Sequence, residues 1–195
     1  FAYDYGRSGE ARGYASGGEF PLKITVPFCP ESALAGIANK DFIPAVWYRR
    51  TFDISTVPEG RVVLHFGAVD YLAKVYVNGT LAGTHKGGYT PFEFDITGLV
   101  HTGENDLHIT LENDYIYRSN TRQGLFGSNP CAGDKLYGAT GPGYDDPQSG
   151  WHHCPPGMGL YQDIYIEVRD TCNITDLYVQ PDLENSAMTL WVEVE

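Results

Sequence analysis

The feature that most constrains this chain is a period of two residues in its apolar pattern. It recurs in EFPLKITV (19–26), VWYRRTFDI (46–54), RVVLHF (61–66), YLAKVYV (71–77), FEFDI (92–96), DLHITLEN (106–113) and QDIYIEV (162–168). Successive side chains of a β-strand point to opposite faces, so each run can bury one face and solvate the other. Gly and Pro punctuation such as VPEG, TGEND and NG separates the runs. No segment sustains an apolar repeat of 3.6 residues. The nearest approach, ESALAGIANK (31–40), is interrupted by Gly36 and is expected to form a short turn or single helical turn. The expected class is all-β, with two antiparallel sheets packed face to face.

The stretch HKGGYTPFEFDI (85–96) asks whether it binds something or only folds. Just before it, Asn78 and Gly79 supply the two positive φ angles of a type I′ hairpin. Gly87 and Gly88 allow a sharp bend, and Pro91 holds Thr90 extended at the entry to the next strand. Phe92, Phe94 and Ile96 should then share one face and Glu93 and Asp95 the other, as the chain crosses between sheets. A glycine-rich phosphate cradle needs a following helix N-terminus, and a strand follows here. His85 would need metal-ligating neighbours, but His65, His101 and His108 fall on other strands or turns, so hydrogen-bonded strand histidines are expected.

Charge removes several partner classes. Thirteen basic against 25 acidic residues leave a net charge of −12, which repels phosphate backbones and anionic membranes. The longest apolar runs, AVW and VVL, are far short of the roughly 20 residues that cross a bilayer. With no charged-then-apolar leader at the start, the reading is a soluble chain, cytoplasmic rather than secreted. Cys29, Cys131, Cys154 and Cys172 form no C-x-x-C pair and are expected as free thiols, although Cys131 and Cys154 flank one long irregular segment and could bridge it. The N-x-T sequons at Asn78 and Asn173 read as chance occurrences.

The runs ITVPFCPESALAGI, WYRRTFDI, VVLHFGAVDYLAKVYVNGTLAGTHKGGYTPFEFDIT, GENDLHITL and GLYQDIYIEV, in that order, resemble the amino-terminal sugar-binding domain of glycoside hydrolase family 2. The resemblance spans about residues 20–168, and residues 62–97 carry its most specific part. It implies a jelly-roll β-sandwich of the galactose-binding-domain kind over 1–169, followed over 170–195 by the first strands of an immunoglobulin-like sandwich. In the family a (β/α)8 barrel carries catalysis, with two glutamates about 5 Å apart hydrolysing β-glycosides with retention. Nothing here alternates strand with helix, and none of the eight asparagines precedes a glutamate as the family's acid/base residue does. Glu93, Glu104 and Glu112 lie on or beside strands as outward carboxylates. No catalytic residue and no cofactor is therefore expected, and the chain reads as a non-catalytic part of a longer enzyme. A free-standing carbohydrate-binding module and a purely structural domain remain open. VPFCPES looks most like β-galactosidase and β-glucuronidase relatives. The pattern ends within MTLWVEVE (188–195), so the second domain is expected to be truncated. Its two strands should then pack against the first domain or pair with another copy of the chain.

The segment most suited to sugar is the irregular one over 115–161, long for a loop and rich in aromatics. Sugars offer flat apolar faces ringed by hydroxyls, so aromatic rings and carboxylates, amides or imidazoles recognise them together. Tyr144, Asp145, Asp146, Trp151, His152 and His153 supply both kinds. The resemblance implies that the loop before Gly159, Leu160, Tyr161 and Gln162 reaches toward the barrel, with His153 near a sugar-holding position. This chain reads PPGMGLYQ where many relatives read Thr-Gly-Ile-Trp-Gln, and Trp151 could equally pack against a barrel. A zinc site from His152, His153, Cys154 and Cys131, or a calcium site at Asp145 and Asp146, lacks the usual ligand spacing.

Overall fold

The computed structural model describes residues 1–39, 43–112, 158–170 and 172–194, with the backbone of two short strands at 115–116 and 137–138. The strands are β1 (Ala2–Tyr3), β2 (Ala45–Ile54), β3 (Arg61–Phe66), β4 (Val69–Asp70), β5 (Leu72–Val77), β6 (Thr80–Lys86), β7 (Phe92–Asp95), β8 (Gly103–Glu112), β9 (Tyr115–Ile116), β10 (Tyr137–Gly138), β11 (Gly159–Leu160), β12 (Ile164–Arg169), β13 (Ile174–Asp182) and β14 (Ala187–Val194). A five-stranded sheet runs β1-β2-β8-β5-β6, and a three-stranded sheet runs β12-β3-β7. The pairs β11-β4, β9-β10 and β13-β14 complete the described topology, and every pairing is antiparallel.

The alternation works as the pattern requires. Val46 and Tyr48 of β2, Val75 and Val77 of β5, and Ile109 and Leu111 of β8 meet Val62, Leu64 and Phe66 of β3 in one buried cluster. Phe92 and Phe94 of β7 pack against it, while Glu93 and Asp95 are exposed. The turn between β5 and β6 has φ of 50° at Asn78 and 81° at Gly79, with Val77 opposite Thr80, as a type I′ hairpin demands. Since β6 belongs to the large sheet and β7 to the small one, residues 87–91 do cross between sheets. Residues 33–35 form a single 3-10 turn, with the Ser32 side chain capping Leu34 N–H and Gly36 at φ 81°.

One expectation fails. The run at 19–26 is not a strand: Leu22 N–H donates to Phe1 O and Thr25 N–H to Ala35 O, with no ladder, although Ile24 and Val26 still pack on the core. Every residue of the β13–β14 hairpin is exposed, so of its two expected dispositions, packing on the first domain is not adopted, and pairing with another copy of the chain is the one that stands as an expectation.

The amino-terminal segment supplies what periodicity could not foresee. Residues 4–20 lie as a strap over the outer face of the large sheet, so that His108 and Thr110 of β8 are buried although they point away from the core. Asp4, 3% exposed, holds the strap. Its Oδ1 accepts from Ser8 N–H and the Arg12 guanidinium, both at 3.0 Å. Its Oδ2 accepts from Gly9 N–H at 2.7 Å and from the Trp47 indole at 3.1 Å. Tyr14 meets Trp47 edge-on and Phe20 meets His108 likewise, while Glu10 binds Lys74 and the Tyr76 hydroxyl. On the outer face of the small sheet, Arg169 grips Glu93 through two 2.7 Å bonds and His65 lies between Glu93 and Glu167. Glu93 is therefore an outward but paired carboxylate.

Candidate functional site

One end of the sandwich gathers residues from four separate stretches. Backbone pairing sets the frame: Gly159 stands opposite Asp70 and Leu160 opposite Val69, where β11 meets β4. The glycine is dictated by space, because a Cβ there would fall 2.7 Å from the Tyr48 hydroxyl and 2.9 Å from Pro30, at a φ of 113°. Next along the chain, the Tyr161 hydroxyl donates to Gly88 O and ties this return to the β6–β7 loop. That loop presents Tyr89, 67% exposed, and Lys86 lies with its ammonium 5.5 Å from the centre of the Tyr71 ring. The rim thus carries exposed aromatic surface with a cation beside it.

Beneath the rim is a buried acidic floor. Glu31 is 7% exposed and accepts one long bond, 3.4 Å, from Met158 N–H. Burial, with a smaller contribution from neighbouring Asp70, raises its carboxyl from the ordinary 4.5 to about 7. The Cys29 thiol is pushed up to about 12, first by burial and then by Glu31 and Asp70, which leaves it protonated and unreactive. Burial likewise raises the phenols of Tyr48 and Tyr161. Glu31 and Asp70 are both enclosed, at 7% and 0% exposure, which does not suit the open carboxylate pair of a glycosidase.

The raised carboxyl has a sign that can be tested. A group whose pKa is higher folded than unfolded contributes stability below about 4.5, and that contribution is lost as pH rises through about 7. Between pH 5 and 8, Glu31→Gln should therefore gain on the parent sequence by about 3 kcal/mol, read by urea unfolding at each pH. A constant difference across that range would remove Glu31 from the account.

The six residues expected to contact sugar, Tyr144, Asp145, Asp146, Trp151, His152 and His153, all lie outside the described residues, as do Cys131 and Cys154. Their segment returns at Met158, on the floor of this end. Cys29 and Cys172 are free thiols. His85 stacks on Phe92 at 3.8 Å rather than facing other histidines, and its Nε2 meets no partner among the described residues. Among the described residues no group of three or more His, Cys, Asp or Glu side chains could hold a metal ion, and no helix is long and apolar enough to cross a membrane. Asn78 spends its amide on Leu99 O and Asn105 Oδ1, both at 2.8 Å, so a glycan at that sequon would break the turn. Sequence reasoning missed Glu31 and Tyr161; the only hint was an acid inside the apolar, proline-flanked VPFCPES.

Comparison with known proteins bears on this end of the fold. Residues 16–118 match the model of the glycosyl hydrolases family 2 sugar binding domain. A β-galactosidase of Thermoanaerobacter pseudethanolicus is 30% identical over 145 residues, 74% of this chain and 16% of that protein. A β-glucuronidase of Paenibacillus borealis is 37% identical over 99 residues, 48% of this chain and 17% of that protein. A solved Ruminococcus gnavus β-glucuronidase superposes with a TM-score of 0.74 at 20% identity, covering 100% of this chain and 31% of that one. A Lactobacillus rhamnosus β-glucuronidase gives 0.71 at 20%, covering 98% and 31%. The chain therefore spans less than a third of the length of these relatives.

Proposed function

Since the chain belongs to glycoside hydrolase family 2, of which it covers the sugar-binding domain, we propose that it frames the entrance to a catalytic site built by a longer enzyme. That enzyme hydrolyses a β-linked glycoside with retention, and its two catalytic glutamates lie outside these 195 residues. The observation that carries the reading is the match of residues 16–118 to the family's sugar-binding domain. In this reading His153, with His152 and Trp151, contacts the sugar, and Tyr144, Asp145 and Asp146 add ring and carboxylate contacts. The β-glucuronidase names among its relatives favour a uronic acid, and the β-galactosidase keeps galactose as the second choice. Partial subsites hold sugar poorly, because each contact must offset lost translational freedom.

The expected result is a split between piece and whole. Titrating the 195-residue chain with methyl β-glucuronide or methyl β-galactoside should give no saturable heat up to about 10 mM, a limit near 3 kcal/mol of binding free energy. In the full-length enzyme, His153→Ala should lower kcat/KM by about tenfold or more, the loss of about 1.4 kcal/mol of transition-state binding. An unchanged kcat/KM would reduce the segment to packing. Tight sugar binding by the piece alone would instead favour a free-standing binding module.

A further inference from the structure

Away from that end, the sandwich is open along one edge. Ile166 stands opposite Leu64 and Val168 opposite Val62, so both belong to the core-facing side of the small sheet. Leu64 and Val62 are each 1% exposed, yet Ile166 is 37% and Val168 58% exposed. On the facing sheet, Arg50 stands opposite Leu107, which puts a guanidinium on the core-facing side of β2. The ladder beyond β2 ends early, because β1 pairs only with Trp47 and Val46.

Between these edges lies a cleft of about 790 Å³, with the segment 22–27 across it. Its interior is apolar, from Phe1, Ile24, Phe52, Leu64, Ile109 and Ile164. Lys23, Arg49, Arg50 and Asp163 stand at its polar margin. Arg49 is committed to Asp106 through three bonds of 2.8 to 3.1 Å. Lys23 and Arg50 have no ion pair among the described residues. The volume falls in the usual range of about 300–1,000 Å³ for small-molecule sites, and the combination of an apolar body with a few placed polar groups is their usual chemistry.

We propose that this cleft is a second binding site, for a small amphipathic organic anion whose alkyl or aryl body lies between the sheets and whose carboxylate or sulfate meets Arg50 and Lys23. Charge complementarity selects the occupant. In a molecule of net charge −12, two uncommitted cations outnumber the one carboxylate at the margin, Asp163, and hold an anionic head, whereas a neutral apolar ligand would leave them unused. The cleft touches that end at Tyr48 and Leu160, but its cations, Lys23 and Arg50, are not among the residues of the Glu31 end, so the proposal does not rest on the sugar-binding reading.

Octanoate and octan-1-ol distinguish head from tail. Titrated into the 195-residue chain, octanoate should shift the methyl resonances of Ile24, Ile109 and Ile164 saturably and bind at least fivefold more tightly than the alcohol. Arg50→Gln, at an exposed position, should weaken octanoate about fivefold and leave octan-1-ol unchanged. Ile166→Trp, at the mouth, should weaken both. Equal affinity for acid and alcohol, shifts confined to the β13–β14 hairpin, or line broadening that reports self-association through the cleft would each overturn the proposal, and so would silence from both ligands.

Discussion

Asp4→Ala is expected to release the amino-terminal strap and to cost about 3–5 kcal/mol of stability in urea unfolding. The carboxylate sits where burial alone would raise its pKa. The Ser8 and Gly9 N–H groups, the Trp47 indole and Arg12 together outweigh burial and hold it below the usual range. Alanine removes the acceptor shared by all four. Arg12 can turn to water, but Gly9 N–H and the indole N–H of a Trp47 that is 1% exposed cannot, and each stranded donor costs about 1–3 kcal/mol. Loss of the strap would also uncover His108 and Thr110. Asp4→Asn keeps one acceptor and should lose about half as much. A loss below about 1 kcal/mol for the alanine variant would mean that the strap is held by its aromatic contacts instead.

The second large effect is expected at Gly83, where β6 passes under the small sheet. A Cβ at this position would lie 2.2 Å from Phe94 Cε1 and 2.4 Å from Cδ1. Retreat of the ring is limited on one side: it meets Phe92 and Phe66 edge-on, and those two rings stack on each other 4.7 Å apart. Gly83→Ala should therefore destabilise by about 3 kcal/mol through overpacking, and Phe94→Ala by about 3–4 kcal/mol through the cavity it leaves. Because the new methyl fits the space vacated by the ring, the double variant should be more stable than the sum of the two losses predicts, by at least about 1.5 kcal/mol. Additive losses would show that the clash is relieved by backbone movement and not by the ring.

How much of this was legible depends on the distance over which the information is carried. The period of two located β2, β3, β5, β7, β8 and β12, because each of these strands has a core side and a solvent side within its own few residues. The Asn78 and Gly79 turn was equally local. The run at 19–26 shows the limit: Ile24 and Val26 alternate because they face the core, but no neighbouring strand is there to pair with them. The strap was invisible because its organising bonds join Asp4 to Trp47, 43 positions away, and no local pattern announces them. At the candidate site, the fully buried Asp70 and nearly buried Glu31 run against the rule that carboxylates stay outside, so composition gave no reason to single them out. The six residues named for sugar contact rest on residue chemistry and on the family resemblance, and they lie outside the described residues.

The central pairing of the large sheet has a kinetic side. β2 and β8 register along ten residues each, and the ion pair between them, Arg49 with Asp106, closes a loop of 57 residues. Contacts that distant gain nothing until a long stretch of chain has already been ordered, which slows the search for them. The Asn78 and Gly79 ribbon closes within a few residues and can form in microseconds. It is therefore expected to form ahead of the β2–β8 pairing and of the strap, whose bonds from Asp4 would then be the last to close.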